Sequence, residues 1–156
     1  MGYGDNNTVE FKSLISKAES SYYKLVVVVG KSGSGKTNLL RQFSEEFQLP
    51  LINLGLELSR RLLSLTIKQR KLKAAEIIEE ILEERGDLRL AVDNTEVIFD
   101  PDLKLNPFGL LKSISRNRML VWTWNGEMDG NHFIYSHAGH PEHHRIPSNE
   151  FITIPT

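Results

Sequence analysis

The sequence predicts an α/β fold in which helices flank a mainly parallel sheet of five strands. One observation is that short apolar segments alternate with segments of helical spacing. The segments expected to form strands are residues 25–29, 51–54, 88–92, 119–124 and 151–154. A second observation is the glycine-rich stretch GKSGSGKT, which stands between the first strand and a helix. The 156 residues are therefore expected to form one domain.

The spacing of apolar residues predicts the flanking helices. A leading helix is expected within residues 1–22, and a second helix is expected from Thr37 to Phe47. One long helical region should end before Gly86, because glycine commonly terminates a helix. A shorter helix should begin at Pro107, with Asn106 as its N-cap. Residues 126–156 lack a helical pattern, so we expect an irregular segment with one last strand and no helical lid domain.

The composition limits the class of protein. Hydrophobic residues make up 40% and charged residues 25% of the chain, as in soluble globular proteins. With no cysteine, disulfide scaffolds and thiolate metal sites are excluded. The longest apolar run is residues 25–29, and no signal-peptide pattern precedes it, so a cytoplasmic protein without a membrane segment is expected. A net charge of −1 gives no overall attraction to nucleic acid.

Residues 30–37, which we call the glycine loop, fit the pattern G-x-x-x-x-G-K-[ST] of a phosphate-binding loop. A strand before the loop and a helix after it are the context that this pattern requires. Lys36 is expected to reach the β- and γ-phosphates of ATP, and the Thr37 hydroxyl is expected to ligate Mg²⁺. The residues predicted to hold the nucleotide are Gly30, Lys31, Ser32, Gly33, Ser34, Gly35, Lys36, Thr37 and Asn38.

Polar residues follow two later strands and complete the predicted site. Asp93 is expected to hold Mg²⁺ together with Thr37, and Asn125 is expected to orient the attacking water. This arrangement is that of a P-loop NTPase of the ASCE division, which includes AAA+-like proteins. Many of its ATPases place a glutamate directly after the aspartate, where this chain has Asn94. Glu57 and Glu96 are the alternative general bases, with a slight preference for Glu57, and slow turnover is expected.

Two other functions remain open at this point. A small-molecule kinase also fits the glycine loop and the chain length, although a kinase usually needs an arginine-bearing lid. After Asn125 the chain has one arginine, Arg145, and no helical pattern. A nucleotide-binding adaptor without significant hydrolysis is the third possibility, and Asn94 favours it because an amide cannot accept a proton.

Five segments together resemble the BrxF family, the small P-loop proteins of type 3 BREX bacteriophage-exclusion systems. The segments are GKSGSGKT, NLGLELSRRLL, LAVDNTEVIFDPDLKLNP, LLKSISRNR and GHPE. The resemblance extends from about residue 25 to residue 154 and rests mainly on LELSRRLL and SRNR. It implies a bacterial cytoplasmic nucleotide hydrolase that serves a multi-protein anti-phage complex, with other BREX proteins as partners.

Two arginines precede the fourth strand and are candidates for catalysis between subunits. Arg116 or Arg118 can act as an arginine finger in the nucleotide site of a neighbouring copy, which implies a homo-oligomer. The alternative is that both arginines form surface ion pairs with carboxylates.

A basic stretch and a histidine-rich stretch carry weaker signals. The basic stretch can contact DNA phosphates, or it can form a solvated helix face. Its residues are Arg60, Arg61, Lys68, Arg70, Lys71 and Lys73. The stretch SHAGHPEHHR holds four histidines and Glu142, but no helix or strand pattern there fixes a metal geometry. We expect it to form a loop or a partner surface rather than a metal site.

Overall fold

The computed structural model describes residues 2–136 and 139–156, with side chains from residue 10 onward. Five helices are described: α1 (Gly2–Glu19), α2 (Lys36–Phe47), α3 (Leu54–Leu62), α4 (Ile67–Glu84) and α5 (Pro107–Ile114). The described strands are β1 (Leu25–Gly30), β2 (Leu51–Asn53), β3 (Arg89–Asp93), β4 (Met119–Asn125), β5 (Glu127–Asp129), β6 (His132–Tyr135), β7 (His144–Pro147) and β8 (Ile152–Pro155). Two short 3₁₀ helices, Thr95–Phe99 and Pro101–Leu103, follow β3.

The main sheet contains five parallel strands in the order β2-β3-β4-β1-β8. This confirms the predicted α/β architecture with a parallel sheet between helices. β4 lies between β1 and β3, and Gly30 at the end of β1 is paired with Asn125 at the end of β4. Because parallel strands have their carboxyl ends on the same side of the sheet, the polar residues at the ends of β1, β3 and β4 come together there.

Helices cover both faces of the main sheet. α1 and α2 pack on one face, where the rings of Phe11 and Phe43 stack with their centroids 4.3 Å apart. α3, α4 and α5 contribute to the core on the other face, which includes the fully buried Trp122 and Trp124. The alternation of side chains along each strand explains this division. No helix in the described part of the chain is long and apolar enough to cross a membrane.

The expectation of an irregular segment after Asn125 is wrong. β5, β6 and β7 form an antiparallel sheet of three strands. Phe133 and Ile146 from this sheet are buried in the core beside Trp124, whose indole Nε1 donates a hydrogen bond of 3.0 Å to the Ile134 carbonyl. These strands are three or four residues long and rich in polar residues, so the sequence carries no clear strand pattern for them.

The single long helical region predicted before Gly86 consists of two helices. α3 begins directly after β2, where the Asn53 side chain accepts a hydrogen bond of 3.1 Å from the Leu56 amide. α4 begins at a capping box in which Thr66 and Gln69 bond to each other's backbone amides. Gly86 follows α4 with a φ of 71°, in agreement with its predicted role as the terminating residue.

Candidate functional site

The glycine loop joins the end of β1 to the start of α2. Gly33 and Gly35 have φ values of 82° and 97°, a left-handed conformation that favours glycine. A Cβ atom at either position would meet nothing within 4 Å, so the space beside the loop is open. A cavity of about 260 Å³ lies there, lined by Gly33, Gly35, Lys36, Thr37 and Asn38. The amides of the first turn of α2 have no partners within the helix, which suits this cavity to an anion.

Lys36 places a buried ammonium group beside this cavity. The residue is only 9% exposed, and its Nζ donates hydrogen bonds of 2.8 Å to the Lys31 carbonyl and 3.2 Å to Asn125 Oδ1. Burial lowers the pKa of Lys36, while the charges of Glu96 and Asp93 act in the opposite direction. A buried cation whose partners are mainly neutral oxygen atoms would be stabilised by a bound phosphate.

Asp93 and Thr37 meet across the site. The Thr37 hydroxyl donates a hydrogen bond of 2.9 Å to Asp93 Oδ2. The other carboxylate oxygen, Oδ1, accepts bonds of 3.1 Å from the Thr123 hydroxyl and 2.8 Å from the Asn94 amide. Mg²⁺ prefers oxygen ligands, and this hydroxyl and carboxylate are the donors that would hold it. The oxygen donors at this point therefore fit a magnesium ion.

Asn125 lies beside the glycine loop. Its Oδ1 accepts the bond from Lys36, and the amide of Gly126 donates a bond of 2.9 Å to the Gly30 carbonyl. The β1-β4 pairing thus fixes the side chain of Asn125 next to the predicted position of the phosphates. The predicted residues Lys36, Thr37, Asp93 and Asn125 are brought together by α2, β3 and β4.

The two candidate general bases lie in different surroundings. Glu57 lies 3.8 Å from the guanidinium of Arg61 and 4.0 Å from that of Arg85. Glu96, in the 3₁₀ helix after Asp93, is close enough to Lys36 for its charge to raise the lysine pKa. These contacts do not test the choice of base, so the preference for Glu57 stays a prediction. Because the Glu57 carboxylate pairs with arginines of α3 and of the residue after α4, we favour Glu96 in the proposal that follows.

For Arg118 the structure favours the alternative of an ion pair with carboxylates. Its side chain is 10% exposed and contacts α4, with Nη2 at 2.8 Å from Glu79 and 4.0 Å from Glu83. Its Nη1 donates to the Ile114 carbonyl at 3.1 Å. Arg118 thus joins two elements of one chain and is not free to enter a neighbour. Arg116 is exposed, and its guanidinium lies 3.9 Å from the ring centroid of Tyr22.

Two arginines of the basic stretch form hydrogen bonds within the chain. Both guanidinium nitrogens of Arg61 bond to the Glu84 carboxylate, and Arg70 Nε donates to the Leu65 carbonyl at 3.1 Å. Arg60, Lys68, Lys71 and Lys73 are exposed. The DNA contact stays a prediction, and these four are the exposed cations of the stretch.

The histidine-rich stretch is only partly within the structure, since His137 lies outside the described residues. His144 Nδ1 lies 3.0 Å from the Glu142 carbonyl oxygen, and His143 Nδ1 lies 3.3 Å from that of Ser136. Among the residues that the structure describes, no three or more His, Asp or Glu side chains are grouped so as to hold a metal.

Sequence reasoning missed two parts of this site. One is Thr123, the residue of β4 whose hydroxyl orients Asp93; a threonine within an apolar strand was the available signal. The other is a cavity of about 280 Å³ lined by Lys31, Ser32, Asn125, Gly126, Tyr135 and Ser136. The Tyr135 ring stacks on Phe99 at 3.8 Å. Burial raises the pKa of the Tyr135 hydroxyl, and Glu142 and Glu96 add to that effect.

The chain matches no known family profile and no curated protein. Among solved structures it is similar to PCH-2 of C. elegans, with a TM-score of 0.42 and 17% identity. The similarity covers 83% of this chain and 40% of that chain, so this chain spans less than half the length of PCH-2.

Proposed function

We propose that this protein is a P-loop NTPase of the ASCE division that binds ATP with Mg²⁺ and hydrolyses it slowly. The main support is that two residues of the glycine loop bond to the polar residues of the neighbouring strands. Thr37 bonds to Asp93, and Lys36 bonds to Asn125. The position of β4 between β1 and β3 supports the ASCE assignment, because this additional strand separates the glycine loop from the acidic residue.

Each residue has a distinct task in this proposal. The amides of the glycine loop bind the phosphate oxygens, and Lys36 neutralises their charge. Thr37 and Asp93 hold the metal, which when bound supplies positive charge to the γ-phosphate. Asn125 orients the attacking water through its amide, and Glu96 accepts the proton. Asn94 occupies the position directly after Asp93 and cannot accept a proton, which supports a slow reaction.

The cellular part of the proposal rests on the resemblance to the BrxF family. The resembling segments include the glycine loop and the stretch around Asp93, so the candidate site and the family pattern coincide. We propose that the protein acts in the cytoplasm of a bacterium, where nucleotide controls its assembly with itself and with other BREX proteins. Phage plating on cells that carry the whole system tests this role, and wild-type protection after loss of this chain would contradict it.

Replacement of Lys36 by alanine tests nucleotide binding. We expect Lys36→Ala to weaken binding of a fluorescent ATP analogue by about 100-fold or more, because a charge-assisted contact to phosphate is lost. The exposed Lys12 on α1 provides the control, and Lys12→Ala should leave binding unchanged. Circular dichroism checks that both variants are folded. Equal affinity of folded Lys36→Ala and wild-type protein would contradict the phosphate-binding role of the glycine loop.

A small-molecule kinase is the second candidate, and the cavity beside Tyr135 favours it. This cavity shares Lys31 and Ser32 with the glycine loop, where a phosphate acceptor would have to bind. Incubation with γ-labelled ATP and a panel of metabolites separates the two reactions, since a kinase labels a metabolite and an ATPase releases phosphate. Absence of both products in a single-turnover experiment would favour the nucleotide-binding adaptor.

A further inference from the structure

The charges of α4 are divided between its two halves. The first half carries four cations and no anion: Lys68, Arg70, Lys71 and Lys73. The second half carries five anions and no cation: Glu76, Glu79, Glu80, Glu83 and Glu84. Its buried face is made of Ala74, Ile77, Ile78, Ile81 and Leu82, so the helix packs on the core through its apolar residues. The charged residues are therefore not required for the contact of α4 with the sheet.

This order of charges opposes the helix dipole. Anions stabilise the first turn of a helix and cations stabilise the last turn. α4 has no acidic residue in its first turn and no basic residue in its last turn. The arrangement disfavours the isolated helix, and ion pairs within the chain offset only part of the acidic half, through Arg61 and Arg118.

The charged side chains are only partly paired within the chain. Arg61 neutralises Glu84, and Arg118 neutralises Glu79 at 2.8 Å. Within the described residues, no ion pair within 4.0 Å involves Lys68, Lys71, Lys73, Glu76 or Glu80. Lys68, Lys73, Glu76 and Glu80 lie on the side of α4 away from the core, whereas Lys71 lies on the side of Ile78 and Leu82, about 180° from Glu80 around the helix. Both signs of charge therefore remain available on the side away from the core.

Large apolar side chains are exposed near both ends of this surface. Leu63 is 78% exposed before α4, and Ile67 and Leu72 are 68% and 71% exposed in its first half. Leu88, after the end of α4, is 74% exposed. Single exposed leucines are common, but here they flank a surface of divided charge and add apolar area to a contact there.

We propose that α4 binds α4 of a second copy of this chain in antiparallel orientation. In that orientation the basic half of each helix faces the acidic half of the other. Two identical sets of opposite-charge contacts therefore form. Such a contact is isologous and closes as a dimer. It depends on charge and not on the glycine loop, so this dimer forms without nucleotide and is a different contact from the nucleotide-controlled assembly proposed above.

A nucleic acid fits this surface less well than a second copy. A phosphate backbone would gain from the basic half of α4 and would be repelled by the five glutamates on the same helix. A parallel pair of helices would place like charges together. Of these arrangements, only the antiparallel pair places opposite charges next to both the basic and the acidic half of α4.

Charge reversal with mixing tests the proposal. One variant carries Lys68→Glu and Lys73→Glu, and the other carries Glu76→Lys and Glu80→Lys. Sedimentation velocity without nucleotide, at about 0.05 M and about 0.5 M salt, reports the mass. We expect a wild-type dimer that weakens at the higher salt. Each variant alone should dimerise at least ~10-fold more weakly, and an equimolar mixture should form a heterodimer.

A matched control keeps the change of net charge but moves it off α4. Lys12→Glu and Lys17→Glu lie at exposed positions of α1 and should leave the dimer intact. Circular dichroism verifies that every variant is folded. A monomeric wild type, or folded variants that dimerise like the wild type, would overturn the proposal. So would a mixture without heterodimer, or a monomer that binds duplex DNA through the same lysines.

Discussion

Asp93 is a shared hydrogen-bond acceptor of the candidate site. Its two carboxylate oxygens accept hydrogen bonds from Thr37, Thr123 and the amide of Asn94. Asn94 itself adopts a left-handed conformation with a φ of 52°, and its carbonyl accepts a bond from the Gly55 amide at 3.0 Å. The chain thus turns sharply after Asp93, and the position after the aspartate contributes backbone groups rather than a proton acceptor.

Glu96 and Glu57 can be separated by one pair of conservative variants. Glu96→Gln keeps the shape of the side chain and removes the proton acceptor, so phosphate release should fall by about 10²-fold or more while nucleotide stays bound. Glu57→Gln should change the rate by less than about twofold, since Glu57 pairs with Arg61 and Arg85. Single-turnover hydrolysis and analogue binding measure the two effects.

The opposite ranking of these variants would return the role of base to Glu57. If both variants hydrolyse ATP at the wild-type rate, neither glutamate is the base. In that case Asn125 and the glycine loop would act on water without a proton acceptor.

Arg118 shows how one side chain joins two elements. It links the start of β4 to α4 through Glu79, and its side chain is nearly buried. Arg118→Ala leaves the Glu79 carboxylate without this partner, so we expect the free energy of unfolding to fall by about 1–3 kcal/mol. The exposed Arg116 is the control, and Arg116→Ala should change stability by less than about 0.5 kcal/mol. Urea denaturation measures both. Equal stabilities would mean that the Arg118 contact contributes little.

The elements of the main sheet are largely predictable from local sequence. β1 and α2 agree with the prediction to within one residue, because a run of valines followed by the glycine loop leaves few alternatives. The division between α3 and α4 was missed, since both helices bury apolar residues at the same spacing. The second sheet was missed because Phe133 and Ile146 become core residues only through contact with Trp124 and its neighbours.

The candidate site is predictable where a short motif determines it. The glycine loop, Asp93 and Asn125 were found from their positions at the ends of strands. The Glu79 contact of Arg118 joins residues from separate elements, and no local pattern indicates it. The same holds for Tyr135, which reaches the loop only because β6 pairs with β5 next to Asn125.

At the scale of the whole molecule, Arg116 and the glycine loop lie at opposite ends of the strands of the main sheet. Arg116 precedes the amino end of β4, whereas Asn125 at its carboxyl end lies beside the loop. A strand of this length spans about 20 Å, so Arg116 does not reach the site of its own chain. We predict that it completes the site of a neighbour as an arginine finger.

Arg116→Ala should therefore slow hydrolysis by about 10-fold or more with little change in ATP affinity. A mixture of Arg116→Ala with Lys36→Ala protein should recover part of the rate, because each copy supplies what the other lacks. Phosphate release from the single variants and from their mixture measures this. A mixture no faster than the sum of its components would exclude a shared site.

The position of β1 within the sheet also affects how the chain folds. β1 pairs with β4 and β8, whose sequences come long after it. Until residues 119–125 have been synthesised, Val26–Val29 has no partner strand, and contacts between segments so distant in sequence form slowly. An unpaired run of valines is prone to aggregate with other chains during that interval. We therefore expect the strand that carries the glycine loop to be vulnerable to aggregation until β4 has been synthesised.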